Sequence, residues 1–239
     1  MTITKEILDF SMNHKTLTLK ELMSSFENRG INVLSKTISQ QLRRYVKTGR
    51  LLRLERGVYA FHEMQKCRFT FAVSAELRQL NETLKIQFPF AKYCIWNSDV
   101  FLPYMHHIPN LKYIYVDIES DATESVFNYL KINQFKRVFF RPDKEAFDRY
   151  IAGTEAIIVR HLVSESPLQM IENIYVPTLE KILVDIVCDV EFDFLQGVEM
   201  SYFYKNAMEQ HNINRSKLIR YASRRGRRKE VEQLYDEAL

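Results

Sequence analysis

Apolar residues recur at helical spacing twice within the first 30 positions of the chain. The first stretch runs from Ile3 to Met12 and ends near Asn13. The second runs from Leu19 to Phe26, where Thr18 is placed to cap a helix and Gly30 to end it. The pattern predicts two short amphipathic helices joined by a brief connection.

A third helical stretch, Ser35 to Thr48, has two chemically different faces. Its inward stripe consists of Ile38, Leu42, Tyr45 and Val46. Ser35 stands where an N-cap residue belongs, and Gly49 stands where a helix commonly ends in a left-handed residue. The sequence therefore predicts an amphipathic helix with a defined start and end.

The hydrophobic period changes from helical to alternating after Gly49. Leu52 and Leu54 alternate with charged residues, and Gly57 introduces the run Val58 to Phe61. This pattern indicates two short strands joined by a tight turn at residues 55–57. Three helices and a hairpin within about 60 residues are typical of a winged helix-turn-helix module.

Positive charge is concentrated on the third helix and the hairpin. Residues 33–57 contain seven Lys or Arg and one acid, Glu55. Such a surface suits DNA, because neutralising phosphates releases condensed counterions, and neighbouring hydroxyl and amide groups can reach base edges. A solvated helix beside a hairpin that only packs is the alternative interpretation. The predicted DNA-contacting residues are Ser35, Lys36, Thr37, Ser39, Gln40, Arg43, Arg44, Lys47, Arg53 and Arg56.

Strands and helices alternate in the middle of the chain. Phe69, Phe71 and Val73 alternate with other residues, and a helix is predicted from about Ser74 to Gln87. Four β-branched or aromatic runs follow, and helical patterns separate them. The runs cover residues 93–96, 113–118, 137–140 and 156–159, and the helical patterns cover 100–106, 123–131 and 144–150. This alternation predicts an α/β domain around a mixed or parallel sheet.

From Thr178 onward the pattern is helical. The first predicted helix starts at Thr178, and the second covers 200–209. The third covers 215–223, with Asn214 as its cap, and the fourth covers 229–238 after an interruption at Gly226. Eight basic residues and no acid lie between positions 215 and 229. This cluster is interpreted either as a solvated helix pair or as a second DNA contact or partner surface. The second reading rests on Arg220, Arg224, Arg225, Arg227, Arg228 and Lys229.

Charge divides the chain into regions of different character. Residues 1–64 hold 11 basic and 6 acidic residues, residues 65–214 hold 15 and 20, and residues 215–239 hold 8 and 4. This distribution fits a winged-helix DNA-binding domain at 1–64 joined to an α/β domain at 65–239 that ends in basic helices. The predicted fold class is α/β (α+β), with a winged helix-turn-helix followed by a mixed α/β domain.

Cysteine usage and hydropathy bear on the compartment. Cys67, Cys94 and Cys188 are odd in number and widely separated, so they predict neither a disulfide framework nor a zinc site. The chain starts without a leader-like apolar run, and no run approaches the ~18 apolar residues of a spanning helix. We expect a cytoplasmic protein without membrane contact.

Glycine spacing excludes the common nucleotide-binding loops. The chain has six glycines, and the two closest are Gly49 and Gly57, so neither GxGxxG nor GxxxxGK[ST] can be written. The GxSxG and HExxH motifs do not occur either. No cofactor, bound metal or catalytic residue is predicted.

Acidic residues near position 117 are the basis of an alternative, enzymatic hypothesis. Asp117 and Glu119 alternate at the end of a strand, with Asp121 close by, and could hold a hard cation as in a metal-dependent nuclease targeted by the winged helix. A strand that runs into a helix N-terminus explains the same acids. A restriction-type nuclease would also need a lysine where Asp121 stands.

Two further sets of polar residues are candidates for a chemical site, and each also has an ordinary interpretation. Asp185 and Asp189 lie one helical turn apart, followed by Glu191 and Asp193, and predict a polar helix face. His106 and His107 precede Pro109 and predict surface or core histidines.

Two motifs resemble the AbiEi family of antitoxins from abortive-infection systems. The hairpin segment Arg56-Gly57-Val58-Tyr59-Ala60-Phe61 is similar to the end of that family's winged helix. The run Pro177-Thr178-Leu179-Glu180-Lys181-Ile182-Leu183-Val184-Asp185 is similar to a helix in its C-terminal domain. The resemblance implies a transcriptional autorepressor that binds inverted repeats in its own promoter. It also implies a cognate toxin of the nucleotidyltransferase class, encoded beside it, and no catalysis by this chain.

The leading hypothesis is thus a DNA-binding repressor with antitoxin activity. The third helix would enter the major groove, and the hairpin would contact phosphate or the minor groove. Because a single winged helix reads few base pairs, we expect a homodimer on DNA or a contribution from the C-terminal basic cluster.

Overall fold

The computed structural model describes residues 3–14, 16–47, 51–61, 66–105, 112–133, 135 and 137–238. The chain forms two compact units, Met1–Gln65 and Lys66–Leu239. Gly49 and the His106-His107 pair lie outside the described residues, so the predictions made for them stay predictions.

Three helices make up most of the first unit, as predicted. They are α1 (Ile3–Met12), α2 (Leu19–Asn28) and α3 (Ser35–Lys47). Thr18 and Glu21 form a capping box at the start of α2, in which each side chain accepts a hydrogen bond from the other's backbone N–H. Gly30, with φ of +70°, follows the end of α2. Both signals at the ends of this helix are confirmed.

The predicted cap of α3 is wrong by one position. The carbonyl oxygen of Leu34 accepts from the backbone N–H of Ile38 at 3.3 Å, so Leu34 is the N-cap residue and Ser35 is the first helical residue. The side chain of Leu34 has no hydrogen-bond acceptor for the first turn. The sequence therefore favoured Ser35, which has a hydroxyl group, as the N-cap residue.

A three-stranded sheet closes the first unit. It is formed by β1 (Leu17–Thr18), β2 (Leu51–Glu55) and β3 (Val58–Phe61), in the order β1-β3-β2. The β2–β3 hairpin turns at Arg56-Gly57, where Gly57 has a φ of +83°. The hairpin was predicted, whereas β1, with two residues, is too short to leave a periodic signal. The buried core consists of Ile7, Leu17, Leu22, Phe26, Ile38, Leu42, Tyr45 and Leu51.

The second unit is built on a mixed four-stranded sheet. Its strands are β4 (Tyr93–Asn97), β5 (Lys112–Ile118), β6 (Arg137–Phe140) and β7 (Glu155–His161), in the order β4-β5-β7-β6. β7 pairs in parallel with β5 and β6, and β4 pairs antiparallel with β5. Of the predicted alternatives, a mixed or a parallel sheet, the mixed sheet is confirmed.

Helices connect these strands and cover the sheet. Ser74 caps α4 (Ala75–Gln87), and α5 (Ser120–Ile132) follows β5. Between β6 and β7, α6 (Lys144–Ala146) continues as a π-helix over Phe147–Ile151. The helix predicted over 100–106 is wrong: a single 3₁₀ turn, Ser98–Phe101, stands there before the described residues stop at 105.

A hairpin, four α-helices and a 3₁₀ helix over Val190–Leu195 complete the described part of the second unit. The hairpin, β8 (Leu168–Ile171) and β9 (Ile174–Pro177), was not predicted. The helices are α7 (Leu179–Cys188), α8 (Val198–Gln210), α9 (Arg215–Arg224) and α10 (Arg228–Glu237), and Asn214 caps α9 as predicted. One apolar cluster includes Trp96, Tyr115, Ile158 and Phe203, and the other includes Leu80, Ile95, Val126 and Val159. Because Ile158 and Val159 are adjacent in β7, the two clusters lie on opposite faces of the sheet.

Candidate nucleic-acid interface

Helix α3 separates its apolar and polar side chains as the sequence predicts. Ile38, Leu42 and Tyr45 are buried in the core of the first unit. Ser35, Lys36, Gln40, Arg43 and Arg44 are exposed, and Thr37 and Ser39 are half-buried. The helix therefore presents hydroxyl, amide and cationic groups to solvent along the side that its core contacts leave open.

The β2–β3 hairpin carries the remaining two predicted contacts. Arg53 and Arg56 are exposed, and Arg53 Nε donates to the backbone carbonyl of Glu55 at 3.4 Å. Arg56 lies in the two-residue turn, beside the left-handed Gly57. Leu51 supplies the buried position of β2, while Leu52 and Leu54 are exposed. The hairpin, which is the wing of the predicted winged helix, thus exposes one guanidinium group on β2 and one in the turn.

Helix α3 is described as far as Lys47, and positions 48–50 lie outside the described residues. The backbone of Lys47 is helical, and its side chain lies outside the description. The predicted DNA contact of Lys47 and the helix end at Gly49 stay predictions.

The C-terminal basic cluster is largely engaged by acids of the second unit. Arg220 and Arg224 both reach Glu165, Arg227 pairs with Glu230, and Arg228 lies 3.6 Å from Glu232. Lys229 is exposed. Arg225 differs from the others because it is half-buried and bonds to Asp185 and Asp189. Arg225 therefore contributes to the interior of the unit rather than to a basic surface.

The acids weighed as a nuclease site do not converge. Asp117 is buried in β5, where its carboxylate accepts from Arg160 Nε at 2.6 Å and Lys181 Nζ at 2.7 Å. Glu119 instead accepts from the backbone N–H of Lys92 at 3.0 Å, and Asp121 is exposed in the first turn of α5. Among the described residues no group of three or more His, Cys, Asp or Glu could hold a metal ion. The nuclease hypothesis has no support in this geometry.

Asp117 belongs to a buried ionic network, defined here as Asp117, Arg160, Lys181, Asp185, Asp189, Glu191 and Arg225. The predicted polar helix face at Asp185 and Asp189 is therefore wrong, because these carboxylates face Lys181, Arg160 and Arg225 inside the unit. The indole Nε1 of Trp96 also donates to Asp117, at 3.1 Å, and the hydroxyl of Tyr221 donates to Asp185, at 2.9 Å.

Burial and charge set the protonation of the network. Burial raises the pKa of Asp117, but Arg160 and Lys181 more than offset this effect, so its pKa lies below the ordinary range. Burial raises the pKa of Glu191, whose nearest cation in the network, Arg160 Nη1, is 3.9 Å away. The pKa of Lys181 lies well above its usual value, because Asp117 and Asp185 outweigh its burial. Asp117 and Lys181 are thus held as ions.

Sequence reasoning missed Arg160 and Lys181 as partners of these acids. Lys181 left one signal, because it stands four residues before Asp185 on the same predicted helix, at the spacing of an ion pair. Arg160 left none, since its contact with Asp117 depends on the parallel register that places the two residues side by side in β7 and β5.

Two family models match the chain. Residues 5–62 match the model of a family described as transcriptional regulator, AbiEi antitoxin. The predicted resemblance of the N-terminal region to AbiEi antitoxins is confirmed. Residues 37–239 match the model of a second family, described as family of unknown function (DUF6577). This match spans most of the chain, so the protein belongs to that family, and the Pro177–Asp185 run lies within this second match.

Comparison with whole proteins adds little. The crystal structure of RV2827C protein from Mycobacterium tuberculosis aligns with 12% sequence identity, over 100% of this chain and 82% of that chain, with a TM-score of 0.33. A similarity of this size carries no argument about shape or function. No curated protein matches the chain. Among the described residues, no helix is long and apolar enough to cross a membrane.

Proposed function

We propose that this protein is a DNA-binding transcriptional autorepressor with antitoxin activity. In this proposal residues 1–64 bind DNA, and residues 65–239 form the antitoxin-like part. The operator is an inverted repeat in the protein's own promoter, bound by a homodimer. The toxin is a nucleotidyltransferase encoded beside it.

The observation that carries the DNA-binding part is the division of α3 into two faces. Ile38 and Leu42 are buried, whereas Lys36, Gln40 and Arg43 are exposed. The β2–β3 hairpin follows this helix in the chain. Side chains of this kind position a helix on phosphates and read base edges. The match of residues 5–62 to AbiEi-type regulators supports the same reading.

Fluorescence anisotropy on the upstream intergenic DNA and on scrambled DNA, titrated with salt, tests this part. We expect tight binding selective for the upstream DNA. The Lys36→Ala/Arg43→Ala variant should bind both DNAs more weakly and lower the salt slope by about two, one for each phosphate contact. Arg149→Ala is the matched control, because Arg149 is an exposed arginine of the second unit paired with Glu145. Weak binding that ignores both sequence and these two residues would refute the repressor proposal.

The C-terminal cluster is proposed as a second DNA contact, and it needs its own variant. Arg228→Ala/Lys229→Ala changes one residue that faces Glu232 and one exposed lysine, and leaves the ionic network intact. A lower salt slope in this variant would support the second contact. An unchanged slope would confine DNA binding to the first unit.

Co-expression tests the antitoxin part separately. The nucleotidyltransferase encoded beside this chain should stop growth when expressed alone, and co-expression of this chain should restore growth. The Lys36→Ala/Arg43→Ala variant, expressed from an unrelated promoter, separates neutralisation from repression. If neither the wild type nor this variant restores growth, the antitoxin part of the proposal fails, and the DNA-binding part stands on its own result.

A further inference from the structure

The β8–β9 hairpin of the second unit has apolar residues on both faces, and two of those on the outer face are exposed. Residues that lie opposite each other in the pair share a face, and Gln169, Ile171, Ile174 and Val176 form the inner one. Ile174 and Val176 are buried in the sheet cluster. On the outer face, Leu168 packs against the other apolar cluster and its opposed residue Pro177 is buried. The opposed pair Met170 and Tyr175 on this face is instead 53% and 51% exposed. Folding of the described unit does not explain these outward apolar side chains.

This outer face forms one wall of a groove with a volume of about 410 Å³. We call it the hairpin groove, and its main lining residues are Tyr93, Lys92, Leu162, Leu168, Met170 and Tyr175. A concave, mostly apolar site of a few hundred Å³ with a small number of polar groups is the usual form of a small-molecule pocket. The volume suits one or two aromatic rings.

Contacts on both sides fix the shape of the hairpin groove. Lys85 Nζ donates to the carbonyl oxygen of Asn173 at 2.8 Å, which ties α4 to the turn of the hairpin. Arg78 pairs with Glu172 of the same turn at 2.7 Å. Tyr93 is buried, and its hydroxyl donates to Asn81 Oδ1 at 3.0 Å. The site is therefore held open by the folded unit itself.

The charge of the lining selects the sign of a ligand. Lys85 and Lys92 are the two charged residues among the lining residues, and no acid lines the groove within the described chain. Lys85 is already engaged by Asn173, whereas the side chain of Lys92 is exposed. A ligand with an apolar body and one anionic group would place its body against Met170 and Tyr175 and its charge near Lys92.

We propose that the hairpin groove binds a small amphipathic anion, such as an aromatic or medium-chain carboxylate or sulfonate. This site lies in the second unit and is independent of DNA binding by the first. It assigns a ligand class to a part of the chain for which the AbiEi match, confined to residues 5–62, implies none.

A matched pair of fluorescent probes tests the proposal on the full chain. 1-Anilinonaphthalene-8-sulfonate carries the anion, and N-phenyl-1-naphthylamine has the same ring system without it. We expect saturable binding of both, with the sulfonate bound more tightly. Met170→Glu should weaken the sulfonate by at least about tenfold, because it removes apolar contact and adds a like charge. Tyr175→Glu, at the opposed position, should do the same.

Lys92→Gln isolates the contribution of charge. It should weaken binding of the sulfonate by about two- to fivefold and leave binding of the neutral probe unchanged, as expected for one exposed ion pair. Ile132→Glu is the control for a charge placed at an exposed apolar residue elsewhere, on α5. Circular dichroism and the thermal midpoint show that each variant is folded.

Three results would overturn the proposal. The first is the absence of saturable sulfonate binding. The second is binding that survives both Met170→Glu and Tyr175→Glu, which would place the dye elsewhere. The third is a Lys92→Gln variant that affects both probes equally or neither, which would remove the anionic part of the ligand class.

Discussion

Lys181 donates a hydrogen bond from Nζ to Oδ2 of Asp117 at 2.7 Å, and both side chains are 2% exposed. This contact joins α7 to the centre of the sheet. Lys181 also bonds to Asp185 on its own helix, so one ammonium group serves two buried carboxylates. This contact helps to fix how the helix packs on the sheet, because the loss of Lys181 would leave two buried carboxylates with fewer cations.

Lys181→Met should therefore destabilise the protein strongly. The methionine fills the same space but leaves Asp117 and Asp185 with fewer partners, and we expect a loss of about 3–5 kcal/mol in the free energy of unfolding. Urea unfolding followed by circular dichroism measures this loss. Lys144→Met is the control, because Lys144 is 65% exposed in its pair with Asp193 and should cost less than about 1 kcal/mol. Equal losses for the two variants would contradict a special role for the buried lysine.

Glu191→Gln should stabilise the protein, by an amount that depends on pH. The ionic network contains four acids and three bases, and burial raises the pKa of Glu191. The folded state thus binds this proton more tightly than the unfolded state, so the ionised carboxylate costs stability above its folded pKa, and the cost vanishes below the unfolded pKa of about 4.3. We expect the variant to gain on the order of 1 kcal/mol at pH 8 and to match the wild type near pH 4.

Unfolding curves at several pH values check the Glu191 prediction. Glu124→Gln serves as the control, because Glu124 is exposed on α5 and its replacement should leave the pH profile unchanged. A variant that loses stability at pH 8 would show instead that the attraction between Glu191 and Arg160 outweighs the burial of the carboxylate.

Thr18→Ala should destabilise the first unit modestly. The substitution removes the hydroxyl that accepts from the backbone N–H of Glu21 at 3.2 Å, and with it half of the capping box. Losses of this kind are about 1 kcal/mol. Thermal unfolding should show a lower midpoint for the first unit, with no change for Thr16→Ala, which alters an exposed residue just before β1. A drop of the same size in Thr16→Ala would mean that the cap is not the cause.

The three cysteines should differ sharply in reactivity. Burial raises the pKa of Cys94 well above its usual value and that of Cys188 to about 12, whereas Cys67 is exposed. Since the thiolate is the reacting species, a disulfide reagent at pH 8 should titrate one thiol rapidly in the folded protein and all three after unfolding. Cys67→Ser should abolish the fast phase, and Cys188→Ser should leave it intact. Two fast thiols in the wild type would refute this assignment.

Local signals in the sequence were sufficient for most elements and for the exposed side of α3. Thr18 and Asn214 act at short range, so their capping roles could be predicted from neighbouring residues alone. The hairpin β8–β9 was missed because Glu172 and Asn173 form its turn with φ values of +48° and +63°, without the glycine that usually marks such a turn.

Contacts between distant residues could not be predicted in the same way. The pairing of Asp117 with Arg160 requires the parallel register of β5 and β7, and nothing in either strand alone encodes it. The DNA contacts on α3 and the wing depend on a partner molecule, so their roles stay predictions even though the side chains are exposed as expected.

The strand order β4-β5-β7-β6 also constrains how the second unit assembles as the chain leaves the ribosome. β6 is hydrogen-bonded to β7, which is made after it, and β7 also completes the pairing of β5. Until His161 has emerged, the sheet can exist only as the β4–β5 hairpin. The buried acids can form their ion pairs with Lys181 only after α7 has been made. They can pair with Arg225, which bonds to Asp185 and Asp189, only near the end of synthesis. Folding of this unit is therefore a late event in synthesis, and a chain that stops short of α9 would retain buried carboxylates without one of their cations.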